Sequence, residues 1–269
     1  MADRVTVSKQ DGVVDVRLNR ADKLNALDQA MFDALVETGI ALASDRAVRA
    51  IVLSGEGRAF CAGLDFASFM AMAGSERPSR NLLDHSTGQV GNHAQQAAYA
   101  WADLPVPVIA AVHGVAFGGG LQIALGADIR VVAPDAQLSV REIKWGLIPV
   151  MSGSQTRRRL VRLDVAKELT FTGRIISGTE AVALGLATHV SENPRADALA
   201  LAREIAGKSP DAIRAGKQLL NRAGLMSLAD GLRLEESLQL SIIGKPNQVE
   251  AVQANLAKRT PQFTDPEHD

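Results

Sequence analysis

Short runs of β-branched residues alternate with longer stretches of helical periodicity along this chain, and that alternation constrains its fold more than any other feature. Val5 to Val7, Val13 to Leu18, Ala50 to Ser54, Val108 to Val112 and Ile129 to Ala133 read as strands. Between them, Asp28 stands just before the apolar positions Met31, Leu35 and Leu42. Its carboxylate can accept orphan N–H groups there and open a helix running to about Ser44. Ser177 with Glu180 has the spacing of a capping box, and Ser209-Pro210 places a cap ahead of a proline at the first helical position. Strand signals stop near Ala196. The pattern predicts an α/β chain with a β-rich core over residues 1–195 and a mainly helical region over 196–269. The stretch Ala73 to Ser86 mixes Gly, Ser, Pro and charges, and reads as a mobile or poorly ordered surface loop.

Composition narrows the partners. With 29 basic against 30 acidic residues there is no field to concentrate nucleic acid or an anionic membrane, so a small molecule is the expected partner. Cys61 is the single cysteine, which excludes an intramolecular disulfide and suits a reducing interior. The opening residues lack a basic region followed by an apolar run. No stretch approaches the roughly 20 apolar residues of a membrane helix, and the expected location is cytoplasmic. His85, His93, His113, His189 and His268 form neither a pair on one helical turn nor a set with a thiol, so no metal is expected.

Two glycine-bearing stretches mimic nucleotide motifs and fail on detail. Gly55-Glu56-Gly57 would need a third glycine where bulky Phe60 stands. Gly207-Lys208-Ser209 lacks the earlier glycine of a phosphate loop, Ala202 standing in its place. Two other stretches are more informative. Ala59-Phe60-Cys61-Ala62-Gly63-Leu64-Asp65 follows a strand, and its small residues let a ligand approach the main chain. His113-Gly114-Val115-Ala116-Phe117-Gly118-Gly119-Gly120 also follows a strand and leads directly into the helical run Leu121 to Leu125. Its glycines expose N–H groups at a helix N-terminus, where the dipole favours negative charge. Together the two stretches suggest two backbone donors converging on one developing oxyanion.

These segments, with Arg20 to Leu27, Glu142 followed by Gly146-Leu147-Ile148-Pro149, Leu169 to Gly173 and Ala181 to Gly185, occur in the order and spacing of the enoyl-CoA hydratase/isomerase (crotonase) family. The chain resembles that family over nearly its whole length. The resemblance implies a crotonase-like spiral of ββα units whose helical C-terminal region serves self-association, as a homotrimer or a dimer of trimers. It implies an acyl-CoA thioester substrate, with coenzyme A as part of the substrate and no separate cofactor. By the same resemblance the N–H groups of Leu64 and Gly119 form the oxyanion hole, beside Gly118. Lys23, Leu24, Ala26, Ala62 and Asp65 lie along the CoA moiety, and Phe263 matches a C-terminal aromatic that approaches CoA, often from a neighbouring subunit. The acyl group is expected to meet the loop around Phe66 to Arg80 and either Trp101 or Trp145.

Glu142 matches the family's catalytic glutamate. The second acid does not: hydratases resembling this chain carry glutamate two residues after the glycine triplet, where Gln122 stands, and an amide neither takes nor gives a proton at neutral pH. Val150 likewise occupies a position that is acidic in dienoyl-CoA isomerases. One carboxylate suffices to move a β,γ double bond into conjugation with a thioester, whereas adding water is work that two usually share. The expected function is therefore enoyl-CoA double-bond isomerisation with Glu142 as sole acid/base. Hydration of a trans-2-enoyl-CoA is the alternative, and a non-catalytic acyl-CoA-binding protein a further one.

Overall fold

The computed structural model of the chain describes residues 3–65, 82–85, 89–157 and 160–266. Strands β1 (Val5–Gln10), β2 (Val13–Leu18), β3 (Ala50–Gly55) and β4 (Val108–Val112) lie side by side in one sheet. After β5 (Val115–Phe117), which leaves it, the sheet continues with β6 (Ile129–Val132). It skips β7 (Gln137–Ser139) and β8 (Ile176–Ser177) and ends on β9 (His189–Val190). β5, β7 and β8 form a second, smaller sheet. The β1–β2 hairpin is antiparallel and turns at Asp11-Gly12, both residues at positive φ. From β2 onward every pairing in the larger sheet is parallel, so the carboxyl ends of β2, β3 and β4 open on the same side.

The helices of the core are α1 (Gln29–Ser44), α2 (His93–Asp103), α3 (Gly119–Gly126), α4 (Gly153–Arg157), α5 (Leu163–Thr172), α6 (Gly178–Ala183) and α7 (Pro194–Ala206). Beyond them come α8 (Pro210–Ala223), α9 (Leu228–Ile242) and α10 (Pro246–Leu256). Side chains alternate across a strand, and β3 and β4 are covered on both faces, which is why these two are near-continuous apolar runs. Val14, Val16, Ile51, Leu53, Val108 and Ala110 pack with Met31, Phe32 and Leu35 of α1 and with Ala97, Ala98 and Trp101 of α2. Their neighbours Val13, Ala50, Val52, Ile109 and Ala111 pack with Ala198, Ala202 and Ala206, a stripe of alanines that lets α7 lie close on the sheet. Residue 196, where the sequence reading divides the chain, thus falls inside a helix of the core.

The helix anticipated after Asp28 is α1, and the Asp28 carboxylate accepts from the Met31 N–H at 2.9 Å. Ser177 accepts from Glu180 N at 3.0 Å, but the Glu180 carboxylate turns to Arg174 at 2.6 Å, so half of the expected capping box forms. Pro210 opens α8 as expected. The Ser209 hydroxyl, however, is buried with no hydrogen bond among the described residues, so proline rather than a cap sets that helix start. Trp101 is fully buried, its indole N–H donating to Ala97 O at 3.0 Å, and belongs to the core rather than to an acyl site. Most of the stretch Ala73 to Ser86 and all of Phe66 to Arg80 lie outside the described residues, as does His268.

α8 is tied to the core by a buried cation. Lys217 Nζ donates to Val106 O at 2.9 Å and to Asp128 at 2.8 Å; burial pulls its pKa below the usual lysine value and Asp128 opposes that shift. Outward from α8, the helices leave Leu220, Leu228, Leu240 and Leu256 exposed. No helix among the described residues is long and apolar enough to cross a membrane.

Candidate active site

The loops that leave the carboxyl ends of β2, β3 and β4 are the natural place for a ligand on an open parallel sheet. Here they are laced together. Residues 24–27 bond to the segment after β3 through Ala62 N to Leu24 O at 2.9 Å and Leu27 N to Gly63 O at 2.8 Å. That segment bonds in turn to the loop after β4, through Phe60 N to His113 O at 2.9 Å and Cys61 N to Val115 O at 3.0 Å. The two glycine-bearing stretches are therefore neighbours in space. An added Cβ at Gly63 would stand 2.7 Å from the Phe117 carbonyl oxygen and 3.8 Å from the Gly119 nitrogen.

Asn25, fully buried, is the keystone of this lacing, and sequence reasoning did not single it out. Its side-chain Oδ1 accepts from Arg20 N at 2.8 Å, while its Nδ2 donates to Glu56 O at 2.9 Å and Ala59 O at 2.8 Å. Leu24 and Asn25 both sit at positive φ, 50° and 56°, which turns the chain sharply enough to aim that side chain inward. Asn25→Ala would strand these three backbone groups, each at about 1–3 kcal/mol. A loss of about 3 kcal/mol or more in unfolding free energy is expected, read from the denaturant midpoint at unchanged m-value. A variant as stable as the parent would show that water or neighbours satisfy these groups equally well.

Cys61 lies at the centre of the same lacing with its thiol donating to Asn25 O at 3.1 Å. Full burial pushes the thiol up to about 12, so no nucleophilic role falls to it. At pH 8 roughly one molecule in ten thousand would carry a thiolate, and alkylation by iodoacetamide is expected only after denaturation. Rapid labelling of the native protein would mean that residues 59–65 open readily.

The N–H groups of Leu64 and Gly119 have no hydrogen-bond acceptor among the described residues. Gly119 is the first residue of α3, and Gly118 ahead of it supplies no side-chain cap, so the positive end of the helix is left uncovered. Gly118 N–H donates to Ser139 O at 2.9 Å, tying the triplet to β7, and three residues on stands Glu142 at the head of a short 3-10 turn, Glu142–Trp145. The half-buried Glu142 carboxylate reaches the triplet: a Cβ at Gly118 would be 3.6 Å from its Oε1. The adjoining Arg141 guanidinium lies over the Phe117 ring, 4.4 Å from its centroid.

Gln122, buried on the first turn of α3, donates from Nε2 to Glu142 Oε1 at 2.5 Å. Its Oε1 accepts from Met151 N at 2.9 Å and Gly153 N at 3.0 Å. Glu142, Leu64, Gly118, Gly119 and Gln122 are thus brought together. Leu24, Ala26 and Ala62 lie half-buried along the adjacent loops, and Lys23 is exposed at their rim. Asp65 is on the same edge, but its carboxylate is held by Arg20 at 2.6 Å, which gives it a structural partner. Trp145 is half-exposed on the turn of Glu142.

Phe263 is not brought to this site within the chain. Its carbonyl accepts from Arg49 at 2.9 Å, and Arg49 precedes β3, whose far end leads into the site. A strand of that length separates them by about 17 Å.

Among the described residues no group of histidine, cysteine, aspartate and glutamate is placed to hold a metal ion. What the arrangement offers is one carboxylate near two backbone N–H donors, that of Leu64 in the segment after β3 and that of Gly119 at the N-terminus of α3. Residues 8–266 match the family profile described as enoyl-CoA hydratase/isomerase. The chain is 36% identical to human enoyl-CoA hydratase domain-containing protein 2, mitochondrial, over 97% of this chain and 88% of that protein. It is 36% identical to mouse methylglutaconyl-CoA hydratase, mitochondrial, over 94% and 79%. A crystal structure of an enoyl-CoA hydratase from Bacillus anthracis superimposes with a TM-score of 0.85 at 30% identity, covering 97% of this chain and 98% of that one. The chain belongs to the enoyl-CoA hydratase/isomerase family and has its crotonase-like fold.

Proposed function

We propose that this enzyme moves the double bond of a β,γ-enoyl-CoA thioester into conjugation, with Glu142 as its acid/base and the N–H groups of Leu64 and Gly119 as oxyanion donors. The α-proton of a thioester is too weakly acidic for a lone carboxylate in water, because the enolate charge has nowhere favourable to go. Two preorganised donors, each worth ~3 kcal/mol or more, change that balance. Glu142 takes the α-proton, the dienolate oxygen rests between the donors, and the same carboxyl group returns the proton at the γ-carbon. One observation carries this reading. The second position beside Glu142 is filled by the Gln122 amide, whose oxygen is occupied by two backbone N–H groups.

Hydration is the second reading, favoured by the relatives named as hydratases. It asks Glu142 both to activate water and to govern protonation of the α-carbon. A non-catalytic acyl-CoA-binding role is disfavoured by a glutamate standing beside the donors. Along the rim, Lys23, Leu24, Ala26, Ala62 and Asp65 would follow the CoA moiety, and Phe263 would reach it from a second subunit of a trimer or hexamer. The test is product analysis with matched β,γ- and α,β-enoyl-CoA thioesters. Isomerisation outpacing hydration is expected. The reverse ratio would overturn the preference, and tight binding without turnover would leave the binding role.

A further inference from the structure

The contacts of Gln122 settle which way its amide points. Two N–H groups, of Met151 and Gly153, converge on its oxygen, and a flipped amide would set its own NH2 against both donors. The fit is close: a Cβ at Gly153 would stand 2.7 Å from that oxygen. With the oxygen pinned and the side chain buried on α3, the NH2 group has one direction left, toward Glu142 Oε1 at 2.5 Å. A donor aimed at a carboxylate favours the ionised form and holds it in place. Of the charged side chains nearest along this turn, Arg141 is stacked on Phe117 and Lys144 is exposed.

We propose that Gln122 is a positioning residue, an amide locked by the backbone of residues 151–153 that fixes Glu142 at the head of α3 as the ionised base. This rests on Glu142 being the base, and it gives the amide a role beyond that of a missing acid. The cradle also dictates what a carboxyl group would do at position 122. Its inner oxygen would take the two N–H groups unchanged, so the fold is kept. Its outer oxygen would face Glu142 at hydrogen-bond distance and hold that contact only while one proton is shared.

The experiment compares kcat and KM across pH for the parent, Gln122→Glu, Gln122→Met and Glu142→Gln, using a β,γ-enoyl-CoA thioester. Parent activity is expected to rise as Glu142 ionises and then stay level. Gln122→Glu should gain a basic limb, falling again as the shared proton leaves. Gln122→Met, which has no donor and only a weak acceptor, should lose about tenfold or more in kcat with KM within about twofold, its acid limb displaced upward. A Gln122→Glu profile that superimposes on the parent, with Glu142→Gln inactive, would overturn the positioning role alone. An active Glu142→Gln would remove the base itself, and with it the reading beneath. Should Gln122→Met fail to fold, the Gln122→Glu profile still decides.

Discussion

Glu142→Gln is expected to lower turnover by a factor of about 100 or more, the loss typical of a missing general base, while acyl-CoA binding survives. The two consequences separate because they come from different parts of the molecule. The proposed proton transfer rests on one carboxylate at the head of the turn after β7, whereas the proposed CoA contacts lie on the loops after β2 and β3 and are mostly main chain. The substitution is also gentle structurally. It conserves volume, and the new amide can still present its oxygen to Gln122 Nε2, whose own oxygen stays with Met151 and Gly153. Thermal melting should therefore move little. Steady-state kinetics give the turnover, and titration with a non-reactive acyl-CoA thioester gives the affinity. Turnover close to that of the parent would sink the mechanism, and loss of affinity equal to the loss of turnover would assign Glu142 to binding.

How much of this was legible depended on the range of each interaction. β3 and β4 appear as anticipated because they are buried on both faces, and the Asp28 cap acts across only three residues. β7, β8 and β9 were not anticipated, since two or three residues are too few to display a period of two. α2 was readable and missed: Asn92 and Gln95 form a full capping box at its start. The candidate site divides the same way. Its residue types were recognisable in the segments carrying Leu64, Gly119 and Glu142. The roles of Asn25 and Gln122 were not, because the amide of Asn25 binds carbonyls 31 and 34 residues away and that of Gln122 is oriented by N–H groups 29 and 31 residues away. No local pattern encodes such partners. The Phe263 carbonyl is held by Arg49 at the opposite end of the sheet, so the CoA contact expected of this residue concerns a neighbouring subunit and not the site of its own chain.

The largest combined effect on folding and catalysis is expected from Gly63→Ala. Gly63 has φ of +91°, a region costly for any residue with a side chain, and the new methyl would meet the Phe117 carbonyl oxygen at 2.7 Å. That oxygen belongs to the backbone, so the loops after β3 and β4 must part. Strain and overlap together should cost about 3 kcal/mol, or roughly 6–12 °C in Tm for a chain of this size. Gly63 immediately precedes Leu64 and faces Gly119, so the same displacement pulls apart the two proposed oxyanion donors. A donor moved out of line costs on the order of 10²-fold or more in kcat. Gly12→Ala is the control. Gly12 also has positive φ, +78°, and a methyl there would crowd Arg49 at 3.0 Å, but its hairpin lies at the amino end of β2, away from the site. It should lower Tm and leave kcat nearly unchanged when measured well below melting. If Gly63→Ala merely matched Gly12→Ala, losing stability but keeping kcat, Leu64 and Gly119 would not be acting as a pair. If it lost kcat by two orders of magnitude while still folded at the assay temperature, the spacing between these two N–H groups would be tied directly to the chemistry.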